Sequence, residues 1–276
     1  MNTPTAAIPD LKTMRIEIDG EIGTLTLNRP ESFNAMNPEM ISELPVAFGW
    51  LADVAELRAL IVTGEGAAFC AGGDINWFKK GIEDPDVDIV SGVRAGAETL
   101  HQGIIDLQRI PYPVIAAING PAAGAGLSLA LACDTRICSE DAFLACAYGR
   151  IGASPDGGMT YFLPRVVGPS RAVELLLNDP NLSPQAALEE KLVAEVVPAD
   201  ELMDRARAKA EKLAAKAPYY VKMAKQLVHT SLDHTIAEHL QFERHGIADS
   251  MGTEDVREAV TAFLDGRASE VEFRGR

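Results

Sequence analysis

The stretch 113-PVIAAINGPAAGAGLSLALACDTRICSE-140 decides the fold class. Its first part, PVIAAING, is a short apolar run closing on Asn-Gly, as a buried strand does where it meets a turn. Next, 121-PAAGAGLSLALACD-134 opens on small residues and runs on as an apolar helix, and TRICSE reads as another short strand. Strand, helix and strand in immediate succession form a βα unit, and such alternation predicts an α/β core.

The same design occurs upstream. There 57-LRALIVTG-64 is a buried strand ending at Gly, and 67-AAFCAGGDI-75 turns on small residues before a helix. Further out, 14-MRIEIDGEIGTLTLNRP-30 alternates apolar and polar residues around a Gly-containing turn, the pattern of a β-hairpin. Helices are predicted over 38–55 and roughly 91–110. Between them, 79-KKGIEDPDVDIV-90 reads as a charged, Pro-bearing loop and a candidate flap over a site. Residues 1–13 read as a loose polar tail. From about residue 200 onward the chain is predicted helical, with acids and bases interleaved.

Composition excludes several function classes. The chain has 276 residues, 47% apolar and 24% charged, the balance of a soluble globular protein with one large domain or one domain with a smaller appendage. A net charge of −15 argues against a nucleic-acid surface, which needs clustered Lys and Arg. It leaves room for an anionic small ligand held by backbone N–H groups or a local positive patch. No apolar run approaches the roughly 18 residues of a membrane span, and no signal-peptide pattern opens the chain. Cys70, Cys133, Cys138 and Cys146 lack CxxC spacing and read as reduced core thiols of a cytoplasmic protein. His229, His234, His239 and His245 fall in the C-terminal region and read as solvated or interface-facing, with no metal site expected.

The two small-residue turns carry the chemistry. A helix start leaves backbone N–H groups unpaired in a field that favours negative charge, and small side chains let another group approach them. Two such starts facing each other can grip one oxygen on which charge develops. Neither turn has GxGxxG or GxxxxGK[ST] spacing, so nucleotide binding of those kinds loses ground. One acid, Asp156, stands in the Gly-rich segment 147-AYGRIGASPDGGMTYFLPR-165, either as turn chemistry or as a carboxylate placed beside a substrate.

The segments 25-LTLNRPESFNAMN-37, 60-LIVTGEGAAFCAGGDI-75, 113-PVIAAINGPAAGAGLSLALACD-134 and 151-IGASPDGGMTYFLPRVVG-168 together resemble the crotonase superfamily, also known as the enoyl-CoA hydratase/isomerase family. The resemblance implies a (ββα)n superhelix over residues 14–205, with a helical region, 206–276, that builds a homotrimer or a dimer of trimers. It also implies an acyl-CoA thioester as substrate, with coenzyme A part of that substrate and no separate cofactor. The two oxyanion donors fall on the N–H groups of Ala71 and Ala125. Phe69, Gly72, Asp74, Ile75, Ser128 and Tyr148 fall on the substrate-binding wall.

Hydratases of the family use two glutamates, and this chain has Ser128 and Tyr148 in their places. Asp156 is the carboxylate that remains, on a PDxG turn that faces the acyl group in the isomerase branch. The resemblance therefore points first to a 3-enoyl-CoA to 2-enoyl-CoA isomerase with Asp156 as acid and base. Second comes a 4-chlorobenzoyl-CoA dehalogenase-like or thioester-hydrolysing activity using Asp156 with His101. Hydration, and acyl-CoA binding without turnover, stand further back. Where many relatives carry a basic residue after NRP this chain has Glu31-Ser32-Phe33, so the CoA phosphates must meet Lys79, Lys80 or the C-terminal region of a neighbouring subunit. Lys191 replaces a usual Gly near residue 192, which leaves that turn unsettled.

Overall fold

The computed structural model describes residues 7–275. The hairpin forms as the alternation predicts: β1 (Met14–Asp19) runs antiparallel to β2 (Ile22–Leu27). Parallel strands follow, β3 (Ala59–Gly64), β4 (Val114–Ile118), β6 (Thr135–Ser139) and β8 (Glu195–Val197), in the order β1-β2-β3-β4-β6-β8. The short strands β5 (Ala122–Ala123) and β7 (Leu144–Ala145) form a second sheet. Single bridges Met36–Gly73, Cys70–Ala122 and Leu144–Leu182 extend that second row. The architecture is the α/β superhelix that the resemblance implies, each turn adding a strand to the main sheet and a short bridge to the smaller one.

Strand alternation divides the core in two. Leu60, Val62, Val114, Ala116 and Ile118 face the larger cluster, where α1 (Pro38–Asp53) contributes Met40, Leu44, Phe48 and Leu51. Ala59, Ile61, Ile115, Ala117 and Ile137 face the other way, onto Leu202, Ala206, Ala210 and Ala214 of α8 (Leu202–Ala214). The boundary expected at 205/206 thus falls inside a helix that covers one sheet face. The remaining helices α9 (Pro218–Thr230), α10 (Ile236–Ser250) and α11 (Glu254–Leu264) carry exposed apolar side chains, among them Val228, Ile236, Leu240 and Phe263.

Several expectations are corrected. The flap predicted over 79–90 is mostly helix: α2 (Ile75–Glu83) and α3 (Ile89–Arg109) leave only 84–88 between them, because Asp88 caps α3 through Ser91 N–H. Residues 1–6 of the predicted tail lie outside the described residues. At its other end Lys12 and Thr13 donate their N–H groups to the Glu43 carboxylate, so the chain is tied down there. His239 is buried rather than solvated, and His229 Nε2 lies 3.2 Å from Asp134 Oδ1. Lys191 adopts a left-handed φ of 62° after α7 (Pro184–Glu189), where Leu192 N–H reaches Ala187 O and Lys191 N–H reaches Leu188 O. This is the Schellman closure of a helix, completed here without glycine.

Asp134 ties the sheet to the C-terminal helices. Its Oδ2 accepts from Val114 N–H at 2.7 Å and meets Lys225 Nζ at 2.8 Å. Burial opposes its charge, but His229 and Lys225 outweigh that and hold the carboxyl below the usual carboxylate range. A carboxyl more acidic folded than unfolded stabilises fully above its unfolded value of about 4 and loses that contribution as pH falls through the folded value. Asp134→Asn is therefore expected to cost about 2–3 kcal/mol at pH 7, measured by chemical unfolding, with the gap to the parent narrowing as pH falls below about 4 and on through the folded value.

Candidate active site

Two chain segments are brought edge to edge by backbone bonding. After β3, the buried Asn34 side chain holds the turn through Arg29 N–H, Glu65 O and Ala68 O. Cys70 N–H then donates to Pro121 O, and Ala123 N–H donates to Cys70 O. On the opposite edge Met36 N–H donates to Gly72 O, and Asp74 N–H donates to Met36 O. These bonds fix which amides are free.

Ala71 N–H donates to Phe33 O at 3.0 Å, so the expected donor at Ala71 is occupied by the protein's own carbonyl. Gly72 N–H faces the Cys70 thiol, which burial pushes up to about 12 and that amide bond opposes. Gly73 N–H has no acceptor among the described residues, and the flanking bonds at 72 and 74 turn it away from Met36. Gly72, with its φ of 98°, breaks the strand alternation between them, so the available donor is Gly73 rather than Ala71.

The second segment begins at Gly124, whose N–H donates to Ala145 O and whose φ is 53°. There α4 (Ala125–Ala132) starts, buried along its whole length. Its first intrahelical bond is Ser128 N–H to Gly124 O, and Ala125 N–H, ahead of it, has no acceptor among the described residues. The two segments touch. A Cβ at Gly72 would lie 2.9 Å from Ala123 O, and one at Gly126 would lie 2.2 Å from Cys70 O.

The expected binding wall is rearranged as well. Phe69 is fully buried and packs in the core. The Asp74 carboxylate caps α2 through Asn76 and Trp77 N–H and pairs with Arg29 at 3.1 Å, so its side chain is a fixture of the turn. Ile75 is exposed, and Gly72 holds a φ of 98° against Ala123.

The third segment presents the acid. Asp156 precedes α5 (Met159–Val167), its carbonyl accepting Met159 N–H. Tyr148 Oη donates to Asp156 Oδ1 at 2.7 Å, and Ser128 Oγ lies 3.0 Å from Tyr148 Oη. Ser128 Oγ is also 3.0 Å from Asp156 O. His101 on α3 accepts Gly157 N–H through Nε2 at 3.3 Å. Asp156, Tyr148, Ser128 and His101 therefore form one cluster, as the motif positions imply, and Gly73 joins the site where sequence reading had Ala71. The signal for Gly73 was Asp74, a helix N-cap directly after it. Beside this turn a cleft of about 740 Å³ opens between α3, α5 and α9, lined by His101, Gly158 and the apolar Ile104, Ile105, Ile110 and Phe162. Among the described residues no group of three or more His, Cys, Asp or Glu could hold a metal ion.

Residues 17–274 match the family model described as enoyl-CoA hydratase/isomerase. The chain is 33% identical over 262 residues to a short-chain-enoyl-CoA hydratase of Clostridium acetobutylicum, covering 95% of this chain and 98% of that protein. It is 35% identical over 259 residues to the 1,2-epoxyphenylacetyl-CoA isomerase of Escherichia coli, covering 94% and 97%. The structure of an enoyl-CoA hydratase from Bacillus anthracis superposes with a TM-score of 0.87 at 31% identity, covering 96% of this chain and all of that one.

The contact between the two segments has no spare room at residue 126. Gly126→Ala is expected to cost about 3 kcal/mol, read as a lowered thermal midpoint, because Cys70 O is backbone and cannot swing aside.

Proposed function

The chain belongs to the enoyl-CoA hydratase/isomerase family, and on that footing we propose that it moves the double bond of a 3-enoyl-CoA thioester into the 2,3 position. The observation that carries this reading is the single carboxylate of the cluster. Asp156 is flanked by hydroxyls, Ser128 and Tyr148, where a hydratase has two glutamates. Addition of water needs a base to activate the water and an acid to deliver a proton. A 1,3 proton shift needs one group that does both in turn.

In the proposed reaction the thioester oxygen lies between Gly73 N–H and Ala125 N–H. Asp156 takes a proton from the α carbon, and the C–H electron pair flows into a dienolate whose charge rests on that oxygen. The protonated Asp156 then gives the proton to the γ carbon, the double bond settles next to the thioester, and the carboxylate is restored. Amides fixed before the charge forms need no reorganisation when it does, and losing one typically costs about 10²–10³ in rate. The cleft beside the Asp156 turn offers apolar wall at Ile104, Ile105, Ile110 and Phe162 and charged wall at Arg109, Lys222, Lys225 and Asp233, and it meets the site only at His101 and Gly158.

A second reading keeps the same atoms. His101 reaches the Asp156 turn, which suits a nucleophilic Asp156 whose aryl ester (formed with loss of halide) or mixed anhydride (formed with loss of the CoA thiolate) is released by water, as in dehalogenase-like or thioester-hydrolysing relatives. Hydration is disfavoured by the two hydroxyls, although many relatives bear hydratase names. The exposed apolar faces of α9–α11 support assembly into a trimer or paired trimers. Lys79 and Lys80 on exposed α2 remain candidates for the CoA phosphates, with Lys79 only loosely paired to Glu83 at 3.8 Å. A cytoplasmic location fits the four free, buried cysteines. Among the described residues no helix is long and apolar enough to cross a membrane.

With 3-hexenoyl-CoA, conjugated enoyl thioester absorbance is expected to appear, and Asp156→Asn should lower kcat by about 10²–10⁴ with an unchanged fold. Parent and variant equally inert, yet both binding the thioester, would replace this reading with a non-catalytic binder. Halide release from 4-chlorobenzoyl-CoA would promote the second reading.

A further inference from the structure

The segment carrying Tyr148 is clamped. Ala147 holds a left-handed φ of 62°, and its N–H donates to Asp179 Oδ1 at 2.7 Å. Arg150 Nε donates to Asp179 Oδ2 at 3.0 Å. Between these anchors the Tyr148 side chain points inward and is 9% exposed. Burial, together with the neighbouring Asp156 charge, pushes its phenol far above the ordinary tyrosine range, so it stays a neutral hydroxyl.

A neutral hydroxyl has one proton to give, and an ionised carboxylate can only accept. Tyr148 Oη lies 2.7 Å from Asp156 Oδ1, its shortest contact, so its proton goes there. Ser128 Oγ, 3.0 Å from Tyr148 Oη, has two carbonyls in reach for its own proton, Asp156 O at 3.0 Å and Gly124 O at 3.3 Å. Both oxygens of the carboxylate are thereby distinguished. Oδ1 is held, and Oδ2 has no hydrogen-bond partner among the described residues.

We propose that Tyr148, seated by Ser128, is a positioning residue that locks Oδ1 of Asp156 and leaves Oδ2 as the one oxygen that meets substrate. This rests on Asp156 acting as the proton carrier of the proposed isomerisation. One working oxygen removes the α proton and delivers the same proton at the γ carbon, with little time for exchange with solvent. The hydroxyl pair also fills the space where a hydratase orients its water. Tyr148 thus steers the site toward proton transfer and away from hydration without touching the reacting carbons.

The test compares wild type, Tyr148→Phe, Ser128→Ala and Asp156→Asn in two assays. In D₂O, deuterium uptake at the α carbon of butanoyl-CoA reports enolisation alone, because a saturated thioester has no double bond to move. With α-deuterated 3-hexenoyl-CoA in H₂O, the label kept at the γ carbon reports transfer by a single oxygen. Tyr148→Phe is expected to keep KM within about twofold and to slow uptake about 10–100-fold, the size expected of a misplaced catalytic group. It should also lower the retained label, a readout that loss of fold alone would not move. Ser128→Ala, nearly isosteric, is expected to fall between parent and Tyr148→Phe in both assays. Unchanged uptake and retention in either folded variant would overturn the proposal. Wild type that takes up deuterium without isomerising would sink the isomerase reading alone, with the uptake assay still deciding the role of Tyr148. Uptake in Asp156→Asn equal to wild type would overturn both.

Discussion

The structure depends on one close approach: the main chain at Cys70–Gly73 runs against the start of α4 with only glycine-sized clearance. Cys70 N–H and O are tied to Pro121 and Ala123, and Gly126 leaves no space for even a methyl group against Cys70 O. The break at Gly72 turns Gly73 N–H away from Met36, and the helix start at Gly124 leaves Ala125 N–H without an intrahelical acceptor. Gly73 and Ala125 N–H are therefore unpaired by construction rather than by chance, since buried donors are ordinarily satisfied. A protein that leaves two amides open at one contact has built an anion-binding geometry into its fold.

The acid arrives from a third segment, and its surroundings set what it can do. A hydratase, a dehalogenase and an isomerase of this family differ in the groups around one polarised thioester. Here the additional groups are hydroxyls that spend their protons on Asp156 and on main-chain carbonyls. The proposed isomerisation rests on that bonding, since the chain is 33% identical to a named hydratase and 35% identical to a 1,2-epoxyphenylacetyl-CoA isomerase. Identity at this level reports the shared fold and thioester grip, while the reaction follows from two or three side chains.

Much of this was legible in the sequence. Period-two alternation gave β1 and β2, and the apolar runs ending on glycine gave β3 and β4, because a strand buried on both faces has little choice of residue. The family resemblance put Asp156, Ser128, Tyr148 and His101 in one site, and their hydrogen bonds bring them together. The failures have a common cause. Ala71 was favoured over Gly73 because the direction of an N–H depends on pairing with Phe33, Met36 and Pro121, which are distant in sequence, and the packing of Phe69 and the capping by Asp74 are set by the same fold. The flap failed for a local reason: Asp74 and Asp88 are N-caps, and their capping turned much of a charged stretch into helix. Lys191 shows the reverse, a turn that kept its left-handed geometry although the residue that favours it was replaced.

The grip of two amides on a thioester oxygen is tested most directly by the carbonyl stretch of butanoyl-CoA labelled with ¹³C at the thioester carbon, read by difference infrared spectroscopy on the bound complex. Polarisation by Gly73 and Ala125 N–H moves that band to lower frequency than in water. A bound thioester whose carbonyl band stays at its water position would contradict it.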